Sequence, residues 1–275
     1  MCARTPYETI FRYLRNYFDT MNSKVHAHVP FLRFSQSLDF IIRERINPEI
    51  YFSAEALDCC AAEHLCGAAR QLRGAGLATT IHAVFMDLNP GALDPTIREA
   101  TKKRFEQIFT AAEILNPKVI VFHPGLDELH HGSYRQYWLE NSIRFWRGFL
   151  PKAKDIGCVI AMENIFEKEP FSLLDLLESV GDPSFCHCFD VGHWNMFSTV
   201  SLEEWFSKLG GYIAETHLHD NFGAADEHLP LGEGEIDFDT LFNLLKQYAP
   251  NAVWTIEAHS DERLKRALEN IKKYL

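Results

Sequence analysis

From residue 24 onward, short apolar runs alternate with stretches whose apolar residues recur at helical spacing. The runs that read as strands are Lys24–Pro30, Glu49–Ser53, Ala78–Asp87, Lys118–Pro124, Cys158–Ile165, Phe185–His193, Ile213–Asp220 and Ala252–Ala258. The helical stretches between and after them cover 33–44, 54–73, 96–115, 134–154, 171–180, 201–208, 238–247 and 261–274. Eight strands, each followed by a helix, predict an α/β fold in the form of a single (β/α)8 TIM barrel rather than an open doubly wound sheet. Ahead of it, Ile10, Leu14, Tyr17 and Met21 fall on one helical face, with Phe11 and Phe18 beside them. That pattern predicts a short N-terminal helical extension over 1–23 and a barrel domain over 24–275. The extension would cover the barrel floor or form a subunit contact, so a homo-oligomer is compatible with the sequence.

Side chains alternate between the two faces of a strand, so the inward set can be read off each run. The fourth strand gives Val119, Val121 and His123, the fifth Val159, Ala161 and Glu163, and the eighth Val253, Thr255 and Glu257. On the seventh, Ile213, Glu215, His217 and His219 share a face. His82 closes the third run, and Asp190 and His193 close the sixth. In a barrel of this kind the active site lies at the C-terminal strand ends. Taken singly, each of these residues is as well explained by a buried hydrogen bond or by solvent. Three acids and four histidines gathered at one mouth would repel or stay unsatisfied without a cation, which predicts a metal centre. His187 faces the other way and reads as structural. His26 and His28 share the inward face of the first strand. His130 and His131 lie in a polar loop. The Gly232-Glu233-Gly234 segment lacks the spacing of a phosphate-binding loop and reads as a tight turn.

Composition narrows this picture only slightly. The 275 residues are 47% hydrophobic and 24% charged, enough for one large core. No apolar run approaches a membrane span, and Met1-Cys2-Ala3-Arg4-Thr5-Pro6 lacks the pattern of a signal peptide. Seven cysteines without a CxxC pair fit reduced thiols and a cytoplasmic setting. A net charge of −11 weighs mildly against a broad phosphate-binding surface. Bound divalent ions would reverse that balance locally, so charge alone does not exclude a nucleic-acid substrate.

The segments FHPG (122–125), MEN (162–164), FDVGH (189–193), HLHDN (217–221), DEHLPLGEG (226–234) and IEAH (256–259) together resemble the xylose isomerase-like TIM-barrel superfamily. That group holds sugar isomerases and epimerases and also the endonuclease IV class of apurinic-site nucleases. In the first branch the resemblance implies one divalent metal on Glu163, Asp190, His217 and Glu257. In the second it implies three zinc ions. His82, His123 and Glu163 would hold the first, and Glu163, Asp190, His217 and Glu257 the second. His193, Asp226 and His228 would hold the third. The cofactor expected is therefore one to three ions of zinc, manganese or magnesium.

Departures exist on both sides. Where the nuclease branch has Asp-Thr-Cys-His, this chain reads Asp190-Val191-Gly192-His193, and no lysine follows His217 within the HLHDN segment. Ketose 3-epimerases carry an arginine shortly after the seventh-strand histidine, and residues 221–225 contain none. The function expected is a metal-dependent isomerase or epimerase of a sugar, sugar phosphate or polyol, with Glu163 and Glu257 as base and acid. His28, His219, Trp194 and Phe85 are the expected substrate contacts, with Phe166 and Phe222 as further candidate walls. The alternatives are a multinuclear zinc phosphoesterase and a non-catalytic binding protein.

Overall fold

The computed structural model describes residues 24–59, 62–127 and 131–275. Eight parallel strands close a barrel in chain order, with the last pairing back to the first. They are β1 (Val25–Pro30), β2 (Asn47–Tyr51), β3 (Thr80–His82), β4 (Val119–Phe122), β5 (Val159–Glu163), β6 (Phe185–Asp190), β7 (Ile213–Leu218) and β8 (Val253–Ile256). The helices among the described residues are α1 (Phe31–Arg43), α2 (Ala54–Cys59), α3 (Ala62–Ala75), α4 (Pro95–Leu115), α5 (Arg135–Ile156), α6 (Phe171–Val180), α7 (Val191–Phe197), α8 (Leu202–Leu209), α9 (Phe238–Tyr248) and α10 (Asp261–Asn270). The predicted (β/α)8 TIM barrel is the observed fold. The helix expected over 1–23 lies outside the described residues, as does His130.

Sequence cues set the element ends. Asp94 accepts from the backbone N–H of Thr96 and places Pro95 in the first turn of α4. Gly157 and Gly181 close α5 and α6 in the left-handed region. Most strands are shorter than their apolar runs, and two of these differences bear on the site. β3 ends at His82, and the chain turns at Phe85–Leu88 with Asp87 at a φ of 61°. β6 ends at Asp190 because the Asp190 carboxylate accepts from the backbone N–H of His193 and starts α7. His193 therefore projects from a helix and not from the sixth strand.

The alternation places Ile50, Phe52, Ile120, Phe122, Ile160, Met162, Phe185 and Phe189 outward, where they pack beneath the helices. Inside the barrel a separate small cluster joins Val119, Val121, Ala161, Cys188 and Val253, with Val159 and Ala214 beside it. At the start of β7 the alternation breaks: Ile213 packs with the outer core and Ala214 with the inner cluster. The register shift between His187 and Cys188 accounts for it. His187 points outward as expected. Its Nε2 accepts from Trp205 Nε1 at 3.3 Å, and its Nδ1 lies 2.8 Å from the Met162 carbonyl. No helix among the described residues is long and apolar enough to cross a membrane.

Candidate active site at the C-terminal mouth of the barrel

Glu163, the last residue of β5, stands at the centre of the mouth with its carboxylate between two pairs of imidazoles. Oε2 lies 3.1 Å from His82 Nε2 and 3.2 Å from His123 Nε2. Oε1 lies 3.3 Å from His193 Nδ1 and 3.5 Å from His217 Nδ1. His217 Nδ1 also faces Asp190 Oδ2 at 3.7 Å and Glu257 Oε1 at 3.4 Å. Toward the rim, Asp226 Oδ2 sits 3.6 Å from His193 Nε2 and 3.5 Å from His228 Nε2. All nine residues predicted as ligands are thus brought into one continuous cluster.

The loop that supplies Asp226 and His228 is anchored by Asp220. Its buried carboxylate accepts from the backbone N–H groups of Asn221 (2.9 Å), Gly232 (2.9 Å), Gly234 (2.8 Å) and Ile236 (3.2 Å). A Cβ on Gly234 would fall 2.3 Å from Asp220 Oδ1, so this glycine serves a close approach as well as the turn expected of it. His228 itself holds a φ of 48°, a left-handed conformation that costs a non-glycine residue energy and is found at sites that fix a side chain.

Of the expected substrate contacts, His28 and Phe85 line the cavity above the cluster, as does Phe166. His219 and Trp194 are placed elsewhere. His219 is fully buried, with Nε2 3.2 Å from both oxygens of Asp190. Its ring occupies the space over Gly192, where a Cβ would lie 1.9 Å from His219 Cε1. Trp194 donates to the Val200 carbonyl and packs against the outer core. Phe222 is exposed and does not line the cavity.

Sequence reasoning missed Glu49. It is fully buried in β2, with Oε1 3.0 Å from His217 Nε2 and Oε2 2.7 Å from His28 Nδ1. His28 Nδ1 in turn reaches Glu257 Oε1 at 3.2 Å. Glu49, His28, Glu257 and His217 therefore form a closed ring of alternating acid and imidazole. The signal was present: Ile50 and Phe52 pack outward, so Glu49 between Pro48 and Ile50 must face in. The apolar run begins at Glu49, but the strand begins at Asn47, which places Glu49 mid-strand.

Charge in the cluster follows from these neighbours. Burial alone would raise Glu163 and Glu257, yet both carboxyls are held well below the usual range. For Glu163 the opposing imidazoles are His123 and His217, and for Glu257 they are His217 and His28. Burial disfavours charge on His193 and His219 too, but Asp190 and its neighbouring acids hold both above the usual histidine value. One turn deeper the logic reverses. Burial, with Glu49 nearby, pushes Glu215 up to about 8, and burial with Lys118 pulls His26 down to about 3.

The cluster fits divalent ions. Two ligand atoms on one tetrahedral zinc, each about 2.0–2.1 Å from it, lie about 3.3 Å apart. The three carboxylate oxygens around His217 Nδ1 sit at 3.4–3.7 Å, close to that spacing. His123 Nε2, His217 Nδ1, His219 Nδ1 and His228 Nε2 are buried, aimed at carboxylates, and make no hydrogen bond. Buried polar atoms are seldom left unpaired, and cations held among these groups would satisfy them.

Comparison with known proteins agrees with this architecture. Residues 55–274 match the family model of the xylose isomerase-like TIM barrel. The uncharacterized protein MJ1311 of Methanocaldococcus jannaschii is 30% identical over 202 residues, which cover 71% of this chain and 69% of that protein. A crystal structure of a D-tagatose 3-epimerase-like protein superimposes with a TM-score of 0.78 at 25% identity, covering 91% of this chain and 96% of that one. A D-psicose 3-epimerase crystallised in the presence of D-fructose shares the fold, with a TM-score of 0.76 at 14% identity over 92% of this chain and 99% of that one. This chain belongs to the xylose isomerase-like TIM barrel family.

Proposed function

We propose that this protein is a divalent-metal-dependent isomerase or epimerase of a sugar or related hydroxy-ketone. The observation that carries the reading is the placement of Glu163 and Glu257. They come from strands on different sides of the barrel, both reach the cavity wall, and both flank the same nitrogen of His217. With Asp190, these residues form a four-ligand set for one ion. When bound, that ion would polarise a carbonyl and its neighbouring hydroxyl and stabilise negative charge developing on them.

The chain's own groups then handle the proton. One carboxylate takes the proton from the carbon beside the carbonyl, and the electron pair left behind forms an enediolate. The other carboxylate returns a proton, to the opposite face for epimerisation or to the adjacent carbon for isomerisation. His28 Nδ1 lies within reach of both Glu257 and Glu49, which gives Glu257 a partner for reprotonation between turnovers. The similarity to the D-tagatose 3-epimerase-like protein supports the same reaction class.

Glu257→Gln should abolish exchange between solvent deuterium and D-fructose or D-allulose in the manganese-loaded protein. Undiminished exchange in that variant would remove Glu257 from the chemistry.

A second reading has one specific observation in its favour. Each oxygen of Glu163 faces its own pair of imidazoles, the arrangement of a carboxylate bridging two ions. A bridging carboxylate is a poor base, and the centre would then suit phosphodiester hydrolysis. Elemental analysis separates the two. Three zinc ions per chain, with cleavage of an abasic oligonucleotide, would replace the epimerase reading.

A further inference from the structure

The cavity above the ligand cluster is larger and less polar than a single sugar ring needs. It encloses about 1,020 Å³, at the top of the roughly 300–1,000 Å³ range of pockets that surround drug-sized molecules. Imidazoles and carboxylates form its floor. Its outer wall is apolar and is built by three separate segments of chain. Phe85 and Met86 follow β3, Phe166 follows β5, and Met196 and Phe197 come from α7. Phe166 meets Phe197 edge-on at 5.2 Å between ring centres, and Phe85 is stacked on His123 at 4.1 Å.

Two of these side chains bear an uncompensated cost. Met86 is 67% exposed and Phe166 53% exposed, both inside a concavity. Large apolar groups held open in a cleft mark a binding surface, because covering them releases roughly 25 cal/mol per Å². Charge limits what can cover them. No lysine or arginine lines the cavity among the described residues, whereas Asp87 and Asp226 do. Among the described residues, a phosphate group placed away from the ligand cluster would meet Asp87 and find no lysine or arginine.

We propose that the substrate is a neutral, non-phosphorylated glycoside whose sugar-like hydroxy-ketone ring sits at Glu163 and Glu257 and whose aromatic aglycone fills the wall of Phe85, Met86, Phe166 and Phe197. This rests on the isomerase reading of the same site and narrows it to one substrate class. Aromatic side chains in edge and offset contact accept a further ring in the same geometries, which is why the outer group is aromatic. The ring of Phe166 provides an exposed edge and face for it.

Calorimetric titration of the manganese-loaded protein with three compounds on one sugar tests this: methyl β-D-glucopyranoside, phenyl β-D-glucopyranoside and glucose 6-phosphate. The phenyl glycoside should bind about tenfold or more tighter than the methyl glycoside. It should also show a more negative heat-capacity change. Phe166→Ala and Met86→Ala should each shrink the phenyl-over-methyl ratio roughly fivefold. Equal affinity for the two glycosides, tighter binding of glucose 6-phosphate, or no binding of the phenyl glycoside up to its solubility limit would overturn the proposal. Deuterium exchange on free ketohexoses keeps the two failures apart. Exchange without aryl preference sinks the apolar subsite alone. Aryl preference without exchange sinks the isomerase reading and leaves the subsite.

Discussion

Below the site, the inward positions of β4, β5 and β6 are Val119, Val121, Val159, Ala161 and Cys188. On β1, β2, β3 and β7 the inward positions are His26, Glu49, Thr80 and Glu215, all fully buried. One arc of the barrel is filled as a core and the other is wired as a hydrogen-bond network. The apolar arc gains free energy simply by leaving water. The polar arc loses hydration and regains it only through pairs, such as Thr80 and Thr255 donating to Glu215. Such networks add little net stability, but they fix side chains in one orientation. The residues so fixed are His217 and His28, which present nitrogen to the candidate ligands.

The comparison extends to single acids. Glu163, Glu49 and Glu257 are buried beside imidazoles that keep them ionised. Glu167, on the loop after β5, is buried with no hydrogen-bonded base; its Oε2 accepts from the backbone N–H of Ile165. Burial accordingly pushes its carboxyl from 4.5 up to about 7. The folded form thus favours the protonated acid. That stabilisation is complete below about 4.5 and is lost as pH rises through about 7. Glu167→Gln cannot lose it. The stability difference between variant and parent, both metal-free, should move in the variant's favour by roughly 3 kcal/mol from pH 4.5 to pH 8. Denaturant titrations at the two pH values measure this, and a pH-independent difference would mean that Glu167 ionises freely in the fold.

The polar arc is expected to act through the metal rather than through stability. Glu49 accepts from His217 on the side opposite the candidate ligand face, the position from which a carboxylate orients a ligating histidine and raises its basicity. Glu49→Gln should weaken manganese or zinc binding by roughly 10- to 100-fold in a chelator competition. It should leave the fold intact by far-ultraviolet circular dichroism. A change below twofold would reduce Glu49 to packing.

These two arcs were not equally legible in the sequence. On β4, β5 and β8, small or apolar residues precede one polar residue, so alternation alone placed His123, Glu163 and Glu257 at the mouth. Their conjunction with Asp190 and His217 makes the cluster readable in the sequence itself. The polar arc hides because buried polar residues look like exposed ones in sequence. Glu49 and Thr80 betray their burial only through partners far along the chain, His217 and Glu215. His219 was misplaced for a similar reason. Alternation put it on the inward face, but the space it fills exists only because residue 192 is glycine, 27 positions earlier. Trp194 reads in sequence as an aromatic near the mouth, next to the end of the sixth apolar run. The Asp190 cap starts a helix there and turns the indole toward the core.

Val121→Ala supplies the smallest effect and the control for the whole contrast. Val121 is fully buried between Ala161 and the rest of the inner cluster, two residues before His123. Removing its two methyl groups takes away apolar contact and leaves a small void in a region with no polar partner to rearrange. The expected loss is about 1–2 kcal/mol of unfolding free energy, with no dependence on pH. Metal affinity should stay within about twofold, because the backbone of β4 is held by its ladder to β3 and β5 and not by this side chain. Denaturant unfolding and the same chelator competition read both quantities. A fall in metal affinity comparable to that of Glu49→Gln would mean that the apolar arc also positions the ligands. The division of labour between the two halves of the barrel would then be wrong.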